Sequence, residues 1–132
     1  MKPFVIFVLA ITALGCTTTK NCKKALCTQQ FLMIIVTLND TTNPNLTGIT
    51  TQTQLTPLGL TIHTQTEPSS IPAGGFTIAD DSDLKELGFN TIQNVELKIS
   101  KDGNLIKTVP FTITTDCCHV SKSTGPEEVS LN

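Results

Sequence analysis

The chain has 132 residues, with nine lysines, no arginine, eleven acidic residues and a formal net charge of −2. This length fits one domain with a substantial core, and the charge argues against a nucleic-acid-binding protein, which usually presents a basic face. Hydrophobic residues make up 39% and charged residues only 15%, the opposite of the balance found in disordered chains.

A short apolar segment at the N-terminus is typical of a signal peptide. Lys2 precedes the uncharged run 4–14, which is too short for a membrane-spanning helix of about 20 residues. The run ends in Leu14-Gly15-Cys16, and this ending resembles the bacterial lipoprotein signal. The resemblance implies that residues 1–15 are cleaved off and that Cys16 carries the lipid. An ordinary secretory signal with a chance cysteine is the alternative.

The residues after Cys16 bear on where the lipid would hold the protein. Residues 16–21 form a short polar tether, and no second apolar run reaches membrane length. Neither an aspartate directly after Cys16 nor a nearby acidic cluster is present. By the same resemblance, the sequence predicts an outer-membrane lipoprotein that faces the periplasm, with its lipid in the membrane.

Four further cysteines lie near the two ends of the remaining chain, at Cys22, Cys27, Cys117 and Cys118. An even number of cysteines in a secreted chain predicts disulfides. A bond between adjacent cysteines is strained, so Cys22 and Cys27 are each predicted to pair with one of the other two. Which pairs with which stays open. The alternative is a metal site that includes His119, although adjacent cysteines do not easily both reach one ion.

The chain between the cysteines is rich in threonine and reads as strands. In the first, alternation places Leu32, Ile34, Val36 and Leu38 on one face. The strands are predicted at residues 31–38, 49–55, 60–66, 76–78, 95–99, 105–109 and 111–115. In the third, the alternation places Ile62 inward and His63 outward.

Turn and cap signals separate these strands. Asp102-Gly103 is typical of a tight hairpin turn, and Pro110 is expected at a sheet edge or a bulge. One short helix is predicted, starting with a capping box of Asp83 and Glu86 and ending at Gly88; Asp81 and Ser82 are alternative caps. Residues 121–132 read as a polar tail.

Together these signals predict an all-β, antiparallel two-sheet sandwich of immunoglobulin type, with about seven strands and one short helix. The sandwich domain is expected to cover residues 22–120. No βαβ unit and no internal repeat is visible in the sequence.

Three features together resemble small, poorly characterised lipoproteins of Gram-negative bacteria. They are the lipoprotein start, the run Phe76-Thr77-Ile78-Ala79-Asp80-Asp81-Ser82 that leads into the short helix, and the ending Asp116-Cys117-Cys118-His119-Val120 with Gly125-Pro126 beyond it. The resemblance implies a β-sandwich similar to prealbumin and to carboxypeptidase regulatory domains. It assigns no catalytic residue.

Three groups of side chains have a chemical and a structural interpretation. His63 is expected on the surface. His119 is either a base for a thiolate at Cys117 or Cys118, or the structural neighbour of a disulfide, and the second is favoured. Asp80, Asp81 and Asp83 could bind Ca²⁺, but they lack the spacing of a calcium loop, and capping of the helix explains them better. No metal or cofactor is therefore predicted.

The sequence predicts a lipid-anchored binding, adhesion or structural module of the cell envelope without catalytic activity. A protein of the envelope is the expected partner, and nucleic acid is not. The alternative is a thiol- or metal-dependent protein centred on Cys117, Cys118 and His119.

Overall fold

The computed structural model describes residues 22–132, so the predicted signal peptide, the tether and Cys16 lie outside the described residues. Within that range the chain is an all-β, two-sheet sandwich with one short helix, which confirms the predicted fold class. Its strands are β1 (Met33–Asn39), β2 (Ile49–Leu55), β3 (Leu60–Gln65), β4 (Ser69–Ser70), β5 (Ala73–Asp80), β6 (Ile92–Lys101), β7 (Asn104–Thr115), β8 (Val120–Thr124) and β9 (Glu128–Ser130). Helix α1 (Leu84–Leu87) follows a 3-10 turn at Asp81–Asp83, and a second 3-10 turn covers Cys22–Lys24.

The two sheets have the strand orders β4-β5-β1-β9 and β3-β2-β6-β7-β8. All strand pairs among the described residues are antiparallel except β1 with β9, which run parallel. The exception arises because the chain crosses from the second sheet to the first between β8 and β9 instead of turning back in a hairpin.

The segment predicted as a polar tail, residues 121–132, takes part in the sandwich. Strand β8 pairs with β7, and β9 pairs with β1, so 111–115 is not the last strand and the domain continues past residue 120. Each of these short strands buries one apolar side chain, Val120 in β8 and Val129 in β9. A single buried residue in a polar segment leaves too weak an alternation to be read from the sequence.

The core lies between the sheets and follows the predicted alternation. Ile34, Val36 and Leu38 of β1 are buried, as predicted. Strand β2 is half-exposed, because its inward positions alternate with exposed or partly exposed glutamines and a threonine. The central strand β6 contributes three completely buried side chains, Val95, Leu97 and Ile99.

The hairpin between β6 and β7 confirms the prediction from Asp102-Gly103. These two residues have φ angles of 50° and 83°, and Lys101 pairs with Asn104 across the turn. Positive φ at both central positions defines the primed turn that matches the twist of the flanking strands. Pro110 lies in the part of β7 that β8 does not reach, which confirms the expected edge position.

Strand β3 differs from the prediction at His63. The pairing of β2 with β3 shifts between Thr53 and Gln54, so Thr53 lies opposite His63 while Gln54 lies opposite Thr61. Because a bulge adds one residue, it reverses the side of the sheet that the following residues face. His63 and Gln65 therefore lie on the inward side with the buried Thr53, and the prediction of a surface His63 is wrong.

The sandwich has two distinct ends. We call the one formed by residues 22–32, 81–91 and 116–119 the disulfide end. We call the opposite one, formed by the loop 40–48, the segment 66–72 that contains β4, and the turn at 102–103, the distal end. At the distal end the N–H of Asp102 donates to the carbonyl of Gly48 at 2.9 Å.

Candidate functional site

The four cysteines meet at the disulfide end in two bridges, as predicted. Cys22 is bonded to Cys117 and Cys27 to Cys118, with Cα atoms 5.2 Å and 5.3 Å apart. The structure thus decides the pairing that the sequence left open. Because the sulfur atoms of Cys117 and Cys118 are each bonded to another sulfur, neither is a thiolate that attacks a substrate or binds a metal.

A tight turn presents Cys117 and Cys118 to their partners. Oδ1 of Asp116 accepts hydrogen bonds from the backbone N–H groups of Cys118 at 2.6 Å and of His119 at 2.7 Å. These two bonds lower the pKa of Asp116. An aspartate that accepts from the backbone two and three residues ahead stabilises such turns, which accounts for Asp116 in the Asp-Cys-Cys-His run.

The carboxylate of Asp81 joins three segments of the chain at the disulfide end. Its Oδ2 accepts from the N–H of Leu32 at 2.8 Å and lies 2.7 Å from Nδ1 of His119. Its Oδ1 accepts from the N–H of Val120 at 2.9 Å. Burial acts to raise the pKa of Asp81, but the hydrogen bonds from Leu32, His119 and Val120 outweigh it and hold the pKa below its usual value.

The imidazole of His119 contacts side chains of two other segments. While Nδ1 contacts Asp81, Nε2 lies 3.0 Å from the hydroxyl of Thr28. Thr28 directly follows Cys27, so the imidazole links the segment before β1 to the start of β8. This geometry favours the interpretation of His119 as the neighbour of two disulfides.

The capping box lies three residues earlier than predicted, at the start of the 3-10 turn that precedes α1. Strand β5 runs directly into the 3-10 turn, and Asp80 is the N-cap, accepting from the N–H of Ser82 at 2.8 Å. Oδ2 of Asp83 accepts from the N–H of Asp80 at 2.9 Å, which completes a capping box. The prediction of a box from Asp83 to Glu86 is therefore wrong, whereas Gly88 ends the helix as predicted.

The bulge in β3 brings His63 to this capping box. Nδ1 of His63 lies 3.6 Å from Oδ2 of Asp83, whose side chain is only 9% exposed. The carboxylate of Asp83 raises the pKa of His63, against the burial that acts to lower it, and the charge of Asp80 adds to the rise. His63, Asp80 and Asp83 each offer one possible metal-ligand atom, and these atoms lie within 4.8 Å of one another.

Two amide side chains, Asn90 and Gln65, make further contacts that the sequence did not predict. Nδ2 of Asn90 donates to the sulfur atoms of Cys22 at 3.2 Å and Cys117 at 3.3 Å. Gln65 spans the two sheets: its Oε1 accepts from the N–H of Thr77 at 2.8 Å. Both roles depend on contacts between distant parts of the chain, and no local pattern marks them.

The disulfides also bear on the compartment. Two such bridges indicate an oxidising environment outside the cytoplasm. In residues 22–132, none of the helices has the length and apolar character needed to cross a bilayer.

Comparison with known proteins found no matching family model, no match among curated proteins and no match among solved structures.

Proposed function

We propose that the protein is a lipid-anchored, extracytoplasmic binding module of the bacterial cell envelope that does not catalyse a reaction. Lipid on Cys16 holds it to the outer membrane on the periplasmic side, and the sandwich binds a protein of the envelope. The observation that carries the proposal is the position of Cys22, which lies six residues after Cys16 and is bonded to Cys117 at one end of the sandwich.

The position of Cys22 sets the orientation of the domain. Six residues span at most about 20 Å when fully extended, so a lipid on Cys16 keeps the disulfide end close to the membrane. The distal end then faces away from it. Loops held by a rigid scaffold are where binding residues concentrate, which makes the distal end the expected contact surface.

The distal end has a surface suited to a partner. The loop 40–48 and the segment 66–72 border a cavity of about 390 Å³, and Asn45, Glu67 and Pro68 are among the residues that line it. Ile71, which follows β4 in the second of these segments, is 84% exposed. An exposed aliphatic side chain beside polar loop residues is the composition of many protein-binding surfaces.

The anchor is tested by fractionating cells that make either the wild-type protein or Cys16→Ala. We expect the wild type in the membrane fraction and the variant in the soluble periplasmic fraction, since one substitution removes the only attachment proposed. If Cys16→Ala stays with the membrane after a high-salt wash, the anchor assignment is wrong.

The binding role is tested by placing a photo-crosslinking amino acid at Ile71 in intact cells. Leu26 is the matched control, because it is an exposed aliphatic residue at the disulfide end, 99% accessible. We expect a discrete crosslinked protein from Ile71 and none from Leu26. Equal products from both positions, or none from Ile71, would contradict a partner at the distal end.

A further inference from the structure

A cluster of three metal-ligating side chains lies where β3 meets the end of β5. His63 comes from β3, Asp80 closes β5 and Asp83 ends the 3-10 turn. Their candidate ligand atoms lie within 4.8 Å of one another. The bulge turns His63 inward and the capping box holds the two aspartates, so backbone structure on both sides positions the three groups.

The charges in this cluster do not balance. The candidate ligand atoms of two carboxylates, Asp80 and Asp83, lie within 4.8 Å of that of a single imidazole, His63. Even when protonated, that imidazole supplies one positive charge for two negative ones. Asp83 is also buried, with a side chain only 9% exposed, and a buried carboxylate is costly unless it is paired. A bound cation would remove this deficit.

The distance between His63 and Asp83 is compatible with two ligands of one metal ion. Nδ1 of His63 and Oδ2 of Asp83 are 3.6 Å apart, which is too long for a side-chain hydrogen bond. Two ligands about 2.0–2.1 Å from a tetrahedral zinc ion lie roughly 3.3 Å from each other. The observed separation is close to that value.

The hydroxyl of Thr53, a buried polar group without a hydrogen-bond partner in the described part of the chain, lies beside the cluster. Thr53 is directly opposite His63 in the β2–β3 pairing and is 1% exposed. Its Oγ1 has no hydrogen-bond partner among residues 22–132. Directly opposed residues on one face of a sheet place their side chains about 5 Å apart. The Thr53 hydroxyl is therefore placed to bond a metal-bound water, as the outer groups of metal sites do.

We propose that His63, Asp80 and Asp83 form a binding site for a divalent transition-metal ion of the Zn²⁺ type. Imidazole nitrogen and carboxylate oxygen are both zinc ligands, and three of them leave a fourth position for water, as in open zinc sites. Ca²⁺ and Mg²⁺ prefer sites built from oxygen alone. The proposal is independent of the lipid anchor and of a partner at the distal end.

The test is calorimetric titration of the full mature protein, with both disulfides intact, by Zn²⁺ and separately by Ca²⁺. We expect one Zn²⁺ per chain and no binding of Ca²⁺ at the same concentrations. His63→Gln is expected to weaken Zn²⁺ binding at least about tenfold, as loss of a group at a metal site does. His119→Gln is the matched control, because it removes the other imidazole of the chain, and it should bind as the wild type does.

A second variant separates loss of a ligand from loss of the fold. Asp80→Asn keeps a side chain that caps helices well but removes the charge, so it should retain the wild-type thermal melt and still bind Zn²⁺ more weakly. Three results would overturn the proposal: no Zn²⁺ binding by the wild type, unchanged binding by a folded His63→Gln, or stronger binding of Ca²⁺ than of Zn²⁺.

Discussion

The two ends of the sandwich are held by different kinds of contact. At the disulfide end, Cys22 and Cys117 are 95 positions apart in the sequence, and Thr28 contacts His119 from 91 positions away. At the distal end the loops are held by hydrogen bonds: Asp40 accepts from the N–H of Thr42, and the N–H of Asp102 donates to the carbonyl of Gly48. A covalent bond between distant residues closes a large loop of the unfolded chain permanently, so we expect the disulfide end to contribute more to stability.

The largest expected effect comes from the disulfides. Replacing both members of one pair, as in Cys22→Ser with Cys117→Ser, should lower the free energy of unfolding by about 2–3 kcal/mol, because the remaining bridge still closes the long loop. Removing the second pair as well should cost about 4–5 kcal/mol more, since the loop of roughly 90 residues is then open. Urea denaturation followed by circular dichroism measures both steps. The two bridges close overlapping loops, 22–117 and 27–118. A first step larger than the second would contradict this account of their effects.

The next effect tests the carboxylate at the disulfide end. Asp81→Ala should lower the free energy of unfolding by about 3 kcal/mol. The substitution removes a charged acceptor, so the N–H groups of Leu32 and Val120 lose their hydrogen bonds to the Asp81 carboxylate. Glu86→Ala is the control: this acid is exposed in the neighbouring helix and should change stability by no more than about 0.5 kcal/mol. Similar effects from both variants would mean that Asp81 does not join these segments.

At the distal end, the effect of one turn residue is smaller. Gly103→Val should destabilise the protein by about 1 kcal/mol or more, because Gly103 has a φ of 83° that a β-branched residue adopts only with strain. A Cβ at this position meets nothing within 4 Å, so the cost comes from the backbone alone. Asp102→Asn keeps a residue that tolerates positive φ and should leave the melting temperature nearly unchanged. An unchanged melt for Gly103→Val would argue against the primed turn.

The smallest expected effect is on the pH dependence of stability, and it arises from Asp40 in the loop after β1. The hydroxyl of Thr42 donates to Asp40 and lowers its pKa, assisted by the N–H groups of Thr42 and Asn43 and by Lys101. Because the pKa is lower in the folded state, the stabilisation is present above the unfolded value of about 4 and is lost as the pH falls through the folded value. Below about pH 4, the melting temperature of Asp40→Asn should therefore fall less steeply with decreasing pH than that of the wild type. Parallel curves for the two proteins would contradict this assignment.

Features that depend on neighbouring residues could be predicted from the sequence. The alternation in β1 identified its buried face, and Asp102-Gly103 identified the hairpin with its register. The cysteines were expected to join the two ends of the chain because the bond between adjacent cysteines is strained. Each of these inferences uses stereochemistry that acts over a few residues.

Features that depend on register or on distant partners could not be predicted. One extra residue in β3 reversed the side that His63 faces, and nothing in its local sequence marks that bulge. Strands β8 and β9 bury one valine each, so their pairing depends on the open edges of β7 and β1. The capping box shifted to Asp80 because β5 continues directly into a 3-10 turn.

Within this chain, short-range physical chemistry was sufficient to predict an all-β sandwich, its central hairpin and the set of cysteines that form disulfides. This is because strand periodicity, turn geometry and disulfide strain act between near neighbours. Only the tertiary structure decided which cysteines pair, that Asp81 holds Leu32, His119 and Val120 together, and that His63 meets Asp80 and Asp83. These contacts depend on how sheets with a bulge and a crossover pack against each other, and one extra residue is enough to turn a side chain such as His63 to the other face of its sheet.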